Sequence, residues 1–177
     1  MNIPNILTVT RFFLIPVFAY VYLIGNNNVA SAVILAVSGL TDILDGYIAR
    51  KYNMITKWGA ACDPIADKLT QITVALCIAI SGYRIMWFVF GFLVFKELVM
   101  VFCGIKLYRN SDVVISANWY GKAATLLFYI VFFVLILFGE NMIEPSKYIL
   151  SATAVALSIF ALVRYAIIFF GIRKKLF

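Results

Sequence analysis

Apolar stretches that reach or approach the roughly 20 residues a helix needs to cross the hydrocarbon core of a bilayer recur along the whole chain. Hydrophobic residues fill 64% of the 177 positions and charged residues only 13%, whereas soluble domains carry about 45–50% and about 25%. Water is therefore not the solvent of most of this surface. Pro4 and Asn5 precede an amphipathic stretch, Ile6 to Arg11, which reads as a short N-terminal interfacial segment leading into a first span at about residues 12–24. Further spans fall at about 29–50, 59–80, 85–108, 119–138 and 148–171, separated by short polar turns and loops. The expected fold is all-α and integral to the membrane, with six transmembrane helices in a single domain over residues 1–177. The opening MNIPNILTVTR lacks the basic start and cleavage site of a secretory signal, so the chain is read as mature and complete.

Lysine and arginine set the expected orientation, because they accumulate on the cytoplasmic side of short loops. Arg11, Arg50, Lys51, Lys57, Lys106, Arg109, Lys122, Arg173, Lys174 and Lys175 fall on the side shared by the termini, against Arg84 and Lys147 on the other. Both termini and the loop from Lys51 to Lys57 are thus expected in the cytoplasm of a multi-pass cell-membrane protein. The basic inner face suits anionic membrane lipid, and no nucleic-acid partner is expected. Cys62, Cys77 and Cys103 lack metal-ligand spacing and read as buried thiols. The chain has no histidine, which excludes histidine acid–base chemistry and histidine metal sites.

Half of the eight acidic residues lie in one segment, DILDGYIARKYNMITKWGAACDPIAD, inside or at the ends of the second and third spans. An aspartate at mid-membrane costs about 2.5–3.5 kcal/mol even on lenient insertion scales, so four of them require compensation. Asp42 and Asp45 are spaced i, i+3, and Asp63 and Asp67 i, i+4, so each pair shares a helix face. The short basic connection makes the two helices antiparallel neighbours, and both faces can open into one cavity near the cytoplasmic end. Carboxylates gathered there repel unless a cation intervenes. Oxygen-only ligands favour a hard divalent ion, Mg2+, with Mn2+ the alternative. Gly46, Ala49 and Gly59 leave room beside such a site for a base and ribose, though small residues also serve close helix packing. Arg50, at a helix end, is placed to meet phosphate.

The segment fits D-x2-D-G-x2-A-R-x8-G-x3-D-x3-D at Asp42, Asp45, Gly46, Ala49, Arg50, Gly59, Asp63 and Asp67. It resembles the defining motif of the CDP-alcohol phosphotransferases, whose bacterial members are similar in length, have six membrane helices and are often homodimers. The resemblance implies that Asp42, Asp45 and Asp63 bind metal, and that Asp67 is the base and also a ligand to a second metal. The cytidine nucleotide would then meet Gly46, Ala49, Arg50 and Gly59. The opening also resembles the Asn-x2-Thr-x2-Arg region of phosphatidylglycerophosphate synthases at Asn5, Thr8 and Arg11, which adds Asn5 and Thr8 to the nucleotide-binding set. Gly121, Lys122 and Thr125 match a Gly-Lys-x-Lys-Thr segment of those enzymes, with Ala124 in place of the second lysine. Phe95-Lys96-Glu97 stands where they tend to have Arg-Glu-Phe. Lys96 and Glu97 are adjacent, so no one-face helical pair is expected of them.

The resemblance implies transfer of the phosphatidyl group of CDP-diacylglycerol to glycerol 3-phosphate, with release of CMP. A phosphate-bearing acceptor needs a cationic pocket, for which Lys106, Arg109, Lys122 and Arg164 are the candidates. Arg164 interrupts an apolar span, the default sign of an intramembrane functional group. Its alternative is to be a structural partner of Glu97 or a motif aspartate, while Lys68 could snorkel or neutralise the cavity. The departures at Lys96 and Ala124 keep open a cardiolipin synthase, which takes phosphatidylglycerol. Phosphatidylinositol-phosphate and phosphatidylserine synthesis rank lower. A transporter could bury acids too, but needs no such motif on two adjacent helices.

Overall fold

A computed structural model describes residues 3–52, 57–111 and 119–176. Six helices follow one another: α1 (Ile3–Leu23), α2 (Asn28–Lys51), α3 (Lys57–Ile80), α4 (Arg84–Ser111), α5 (Trp119–Phe138) and α6 (Glu144–Leu176). No strand occurs among the described residues. Pro4 and Pro145 sit in the first turns of α1 and α6, where a missing N–H has no intrahelical partner to lose. The α1–α2 turn passes through Asn26 at φ 45°, a conformation that asparagine tolerates better than most residues. Asn27 then caps α2 by accepting the Ala30 N–H at 2.9 Å. Between α3 and α4 the chain turns at Gly82, whose φ of 100° suits glycine alone.

The N-terminal stretch is not a separate interfacial element. Residues 6–11 belong to the same helix as the first span, and Thr8 and Arg11 are wholly buried. Pro4, Thr8, Arg11, Phe18 and Tyr22 fall on one stripe at helical spacing, which turns into the bundle and carries the polar residues with it. Pairing with buried acids, described below, keeps this end of α1 in the interior.

Four helical stretches are long and apolar enough to cross a membrane: Pro4–Leu23, Asn28–Ala49, Arg84–Phe102 and Glu144–Arg164. The apolar run that begins in the fifth helix is shorter, Thr125–Asn141, and ends in the turn that follows it, while α3 carries Lys57, Asp63, Asp67 and Lys68 in its first half. These charges explain why α3 does not stand with the four on apolarity. The chain is a multi-pass membrane protein with an all-α fold.

Helix α1 packs on α2 and α3, α3 on α4, α4 on α6, and α5 between α2 and α6. The apolar core, formed by Phe18, Leu35, Val74, Ile78, Leu93, Phe132 and their neighbours, occupies the part of the bundle away from the aspartates. Large apolar side chains also project outward, including Phe13, Phe88, Phe102, Ile149 and Ile167. In water so much exposed apolar surface would drive association, whereas in a bilayer it meets lipid. Buried hydroxyls are partly satisfied within their own helices, as in Ser31 to Asn27 O and Thr70 to Ala66 O, both 2.8 Å. Cys77 is buried and Cys62 half-buried, both free thiols, and the side chain of Cys103 lies outside the described residues.

This division between core and lipid-facing surface predicts a contrast. Phe132→Ala, which empties a fully buried position beside Phe128, should cost about 3–5 kcal/mol of stability in mixed micelles. Phe13→Ala, on the outer face, should stay within about 0.5 kcal/mol. Equal losses would contradict the assignment of the two faces.

Candidate active site

Helices α1, α2 and α3 meet at one end of the bundle around the guanidinium of Arg11. Its Nη1 donates to Asp42 Oδ1 at 2.5 Å, and its Nη2 to Asp45 Oδ2 at 2.6 Å and Asp63 Oδ1 at 3.3 Å. The Thr8 hydroxyl, one turn before Arg11, donates to Asp63 and also lies 3.1 Å from the Pro4 carbonyl. Side-chain exposure separates the acids: Asp45 is 3% exposed, Asp42 34% and Asp63 35%. Asp45 therefore anchors the inner wall, and Asp42 and Asp63 open towards solvent. Three carboxylates against one guanidinium leave a formal charge of two negatives.

Asp67 stands next to this cage without sharing the guanidinium. Gln71, one turn on, donates from Nε2 to both its oxygens, at 3.2 and 3.4 Å. Lys68, Asp42 and Arg11 lie within electrostatic reach of Asp67. Gly46 and Ala49 are half-buried on the last turns of α2, Gly59 is buried at the start of α3, and Asn5 is half-buried one turn before Thr8. Of the expected nucleotide set, Thr8 is thus engaged with a motif aspartate. The side chains of Arg50, Lys106, Arg109 and Lys122 lie outside the described residues, and Arg164 is half-buried in α6.

A second charged group adjoins Asp67. Lys96 is buried in α4, and its Nζ meets Glu97 Oε1 at 2.8 Å, while Lys68 Nζ approaches the same oxygen at 3.2 Å. This corrects the expectation drawn from their adjacency. Successive residues point along different directions of a helix, but the lysine stem is long enough to fold back to its neighbour's carboxylate. Lys68 is thereby a partner of Glu97, and two ammonium groups share one carboxylate within electrostatic reach of Asp67.

Sequence reasoning missed the central place of Arg11, which entered only as a loop charge and a motif match. The signal was present: Thr8 and Arg11 are spaced i, i+3 on one face, and four aspartates within membrane helices require a counter-charge. A cavity of about 640 Å³ opens at the opposite end of the bundle, lined by Asn28, Arg84, Glu140, Glu144 and Lys147 among others. There Asn28 bonds Glu140 and Lys147 bonds Glu144. No motif residue lines this cavity.

Whether the cage suits a divalent ion can be judged from its donors. All are oxygens, as a hard cation requires, and they converge on one positive group with negative charge to spare. Among the described residues, no three acids or thiols are already gathered as a cation site. The planar guanidinium fork holds the carboxylates apart at separate nitrogens. The donor set fits the ion in chemistry and charge, with Arg11 as the group that shares those oxygens.

The chain matches the CDP-alcohol phosphatidyltransferase family over residues 1–163 and belongs to it. A Mycobacterium tuberculosis protein named "Putative cardiolipin synthase" is 35% identical over 132 residues, 75% of this chain and 63% of that protein. The chain thus spans less than two thirds of the length of that relative. A Haemophilus influenzae protein named CDP-diacylglycerol--glycerol-3-phosphate 3-phosphatidyltransferase is 29% identical over 171 residues, 93% of this chain and 91% of that protein. One from Rickettsia prowazekii with the same name is 48% identical over 71 residues, 38% of this chain and 39% of that protein.

The cage generates a stability prediction. Arg11→Gln leaves three carboxylates facing one another and should cost about 3–5 kcal/mol, the scale of breaking one side of a buried ion pair. Adding Asp45→Asn should restore part of the loss, giving a coupling of about 1 kcal/mol or more in a double-mutant cycle followed by thermal unfolding. Strictly additive losses would mean that Arg11 and Asp45 do not sense each other.

Proposed function

We propose that the chain transfers the phosphatidyl group of CDP-diacylglycerol to glycerol 3-phosphate, forming phosphatidylglycerophosphate and CMP at the cytoplasmic membrane surface. The observation that carries this reading is the convergence of Asp42, Asp45 and Asp63, with Asp67 beside them, at the end of the bundle that bears most of the basic residues. Family membership and the Haemophilus relative, aligned over nearly its whole length, support the same reaction.

In this reading the acceptor hydroxyl attacks the β-phosphorus, the bond from that phosphorus to the bridging oxygen breaks, and CMP leaves with that oxygen. The hydroxyl proton passes to Asp67, whose carboxylate is held by Gln71 and keeps lone pairs free to receive it. Asp42, Asp45 and Asp63 would hold Mg2+ or Mn2+, which supplies positive charge for the departing phosphate. Asn5, Gly46, Ala49, Arg50 and Gly59 would line the nucleotide's place at the cytoplasmic ends of α1, α2 and α3. The diacylglycerol part remains in the bilayer throughout, so an interfacial site lets a soluble acceptor reach a lipid phosphorus.

The acceptor's phosphate needs positive charge near Asp67. The buried Lys96, sharing Glu97 with Lys68, supplies it on the α3–α4 side, and Arg164, Lys106, Arg109 and Lys122 remain candidates for the rest of the pocket. A second reading, transfer to phosphatidylglycerol, has the name of the mycobacterial relative in its favour.

Purified protein given CDP-diacylglycerol and Mg2+ should release CMP on addition of soluble glycerol 3-phosphate, and should stop when the metal is chelated. Release with phosphatidylglycerol alone would establish the second reading instead. Asp67→Asn should slow the chemical step by roughly 100-fold or more while CDP-diacylglycerol still binds. Lys96→Gln should raise the Michaelis constant for glycerol 3-phosphate about 10-fold, the scale of one charge-assisted hydrogen bond, and leave that for CDP-diacylglycerol unchanged. A parallel loss for both substrates would make Lys96 a structural counter-ion of Glu97.

A further inference from the structure

One buried polar group next to the cage has no part in the reaction so far. Tyr129, midway along α5, packs its ring against Gly39 of α2, where an added Cβ would lie 3.4 Å from the ring. The ring thus lies flush against this face of α2, with its hydroxyl in the interior. The hydroxyl oxygen is buried, and among the described residues its near neighbour is Ser38 Oγ, with no partner in good hydrogen-bonding geometry. Ser38 Oγ, close enough to interact with it, is likewise buried and outside hydrogen-bonding geometry. Asp67 and Asp42 both lie within electrostatic reach of the tyrosine.

Even if the two hydroxyls turn towards each other, one donor of the pair is left over, and an unsatisfied buried donor loses its hydration without replacement. Their depth indicates what could meet them. Ser38 precedes Asp42 by four residues on α2, about 6 Å further from the helix end where the carboxylates gather. A CDP-diacylglycerol molecule with its diphosphate at the carboxylates runs from nucleotide at the cytoplasmic surface to acyl chains in the bilayer. The lipid side of the β-phosphate and its glycerol lie one step deeper than the diphosphate bridge, at the level of Ser38 and Tyr129. Both side chains can donate to phosphoryl or ester oxygens there, and neither carries charge that would be expensive at that depth.

We propose that Tyr129, with Ser38 beside it, forms a hydrogen-bonding subsite for the phosphoglycerol end of the lipid substrate, on the membrane-interior side of the carboxylate cage. This subsite rests on the reading of the cage as the CDP-diacylglycerol site. It recognises the part of the substrate that free CDP lacks, so the group acts in choosing and holding the lipid and leaves nucleotide recognition to the cytoplasmic side.

Tyr129→Phe deletes only the oxygen and keeps the ring on Gly39, so the thermal midpoint should be unchanged or slightly higher. Binding to the purified, Mg2+-supplemented protein in nanodiscs can be measured with CDP and with CDP-diacylglycerol. The variant should bind CDP as the wild type does and CDP-diacylglycerol roughly 3- to 10-fold more weakly, the effect of one hydrogen bond of ordinary net strength. Ser38→Ala should shift the same ratio in the same direction. Equal weakening for both ligands, no weakening for either, or a midpoint lowered by several degrees would each overturn the subsite. Wild-type protein that binds neither ligand would overturn the cage reading itself, and the subsite with it.

Discussion

A single guanidinium in the interior of the bundle ties three helices together. Arg11 reaches Asp42 and Asp45 on α2 and Asp63 on α3, from a helix whose opposite end is held by Phe18 and Tyr22 stacked in the apolar core. Neither partner could be buried alone: an isolated ion in a low-dielectric interior costs several kcal/mol, and removing one side leaves the other exposed to that penalty. The arrangement thus fixes the relative depth of α1, α2 and α3, and with it the register of the motif residues. It is also incomplete by design of charge, since the acids outnumber the guanidinium. A site that is nearly neutral would have nothing left to offer a cation or a phosphate held by one, whereas this one keeps two partly exposed carboxylates facing outward.

Much of this was legible from residue order. The six helices lie close to the expected spans because long apolar runs bounded by Asn, Gly and charged residues leave few other places for a helix to end. Each aspartate pair shares a helix face as its i, i+3 or i, i+4 spacing requires, but the direct packing expected between α2 and α3 is replaced by α1, which packs on both and joins their acids through Arg11. The N-terminal segment was harder to place, because Ile6 to Arg11 is amphipathic in isolation. Only the acids on α2 and α3, more than thirty residues away, give Arg11 a reason to enter the bundle. Lys96 and Glu97 show a related limit: a helical-spacing rule describes where Cβ atoms point, and a flexible lysine can reach beyond that. Tyr129 leaves no mark in the sequence at all, since a tyrosine in an apolar helix looks like core until Gly39 and Ser38 are seen beside it.

The charges are arranged in order along the reaction path proposed for the chain. The cage, rich in carboxylate, would hold a cation whose charge suits a diphosphate; Asp67 adjoins it with its oxygens held by an amide; and the ammonium groups of Lys96 and Lys68 follow on the α4 side. Separation of these three groups matters physically. Lysines placed within the cage would neutralise the carboxylates proposed to hold a metal, and a proposed base placed on Arg11 would be too strongly paired to take a proton readily. Uncharged hydroxyls occupy the deepest position, where a charge would be least tolerated.

In the proposed site, Asp42, Asp45 and Asp63, gathered by Arg11, would hold the metal. Anomalous scattering from crystals grown with Mn2+ and CDP measures this most directly. A manganese peak is expected within coordination distance of carboxylate oxygens from both α2 and α3, with CDP phosphate oxygens on the same ion. A peak confined to the acids at the opposite end, Glu140 and Glu144, or CDP bound with its phosphates away from Asp42 and Asp63, would contradict it.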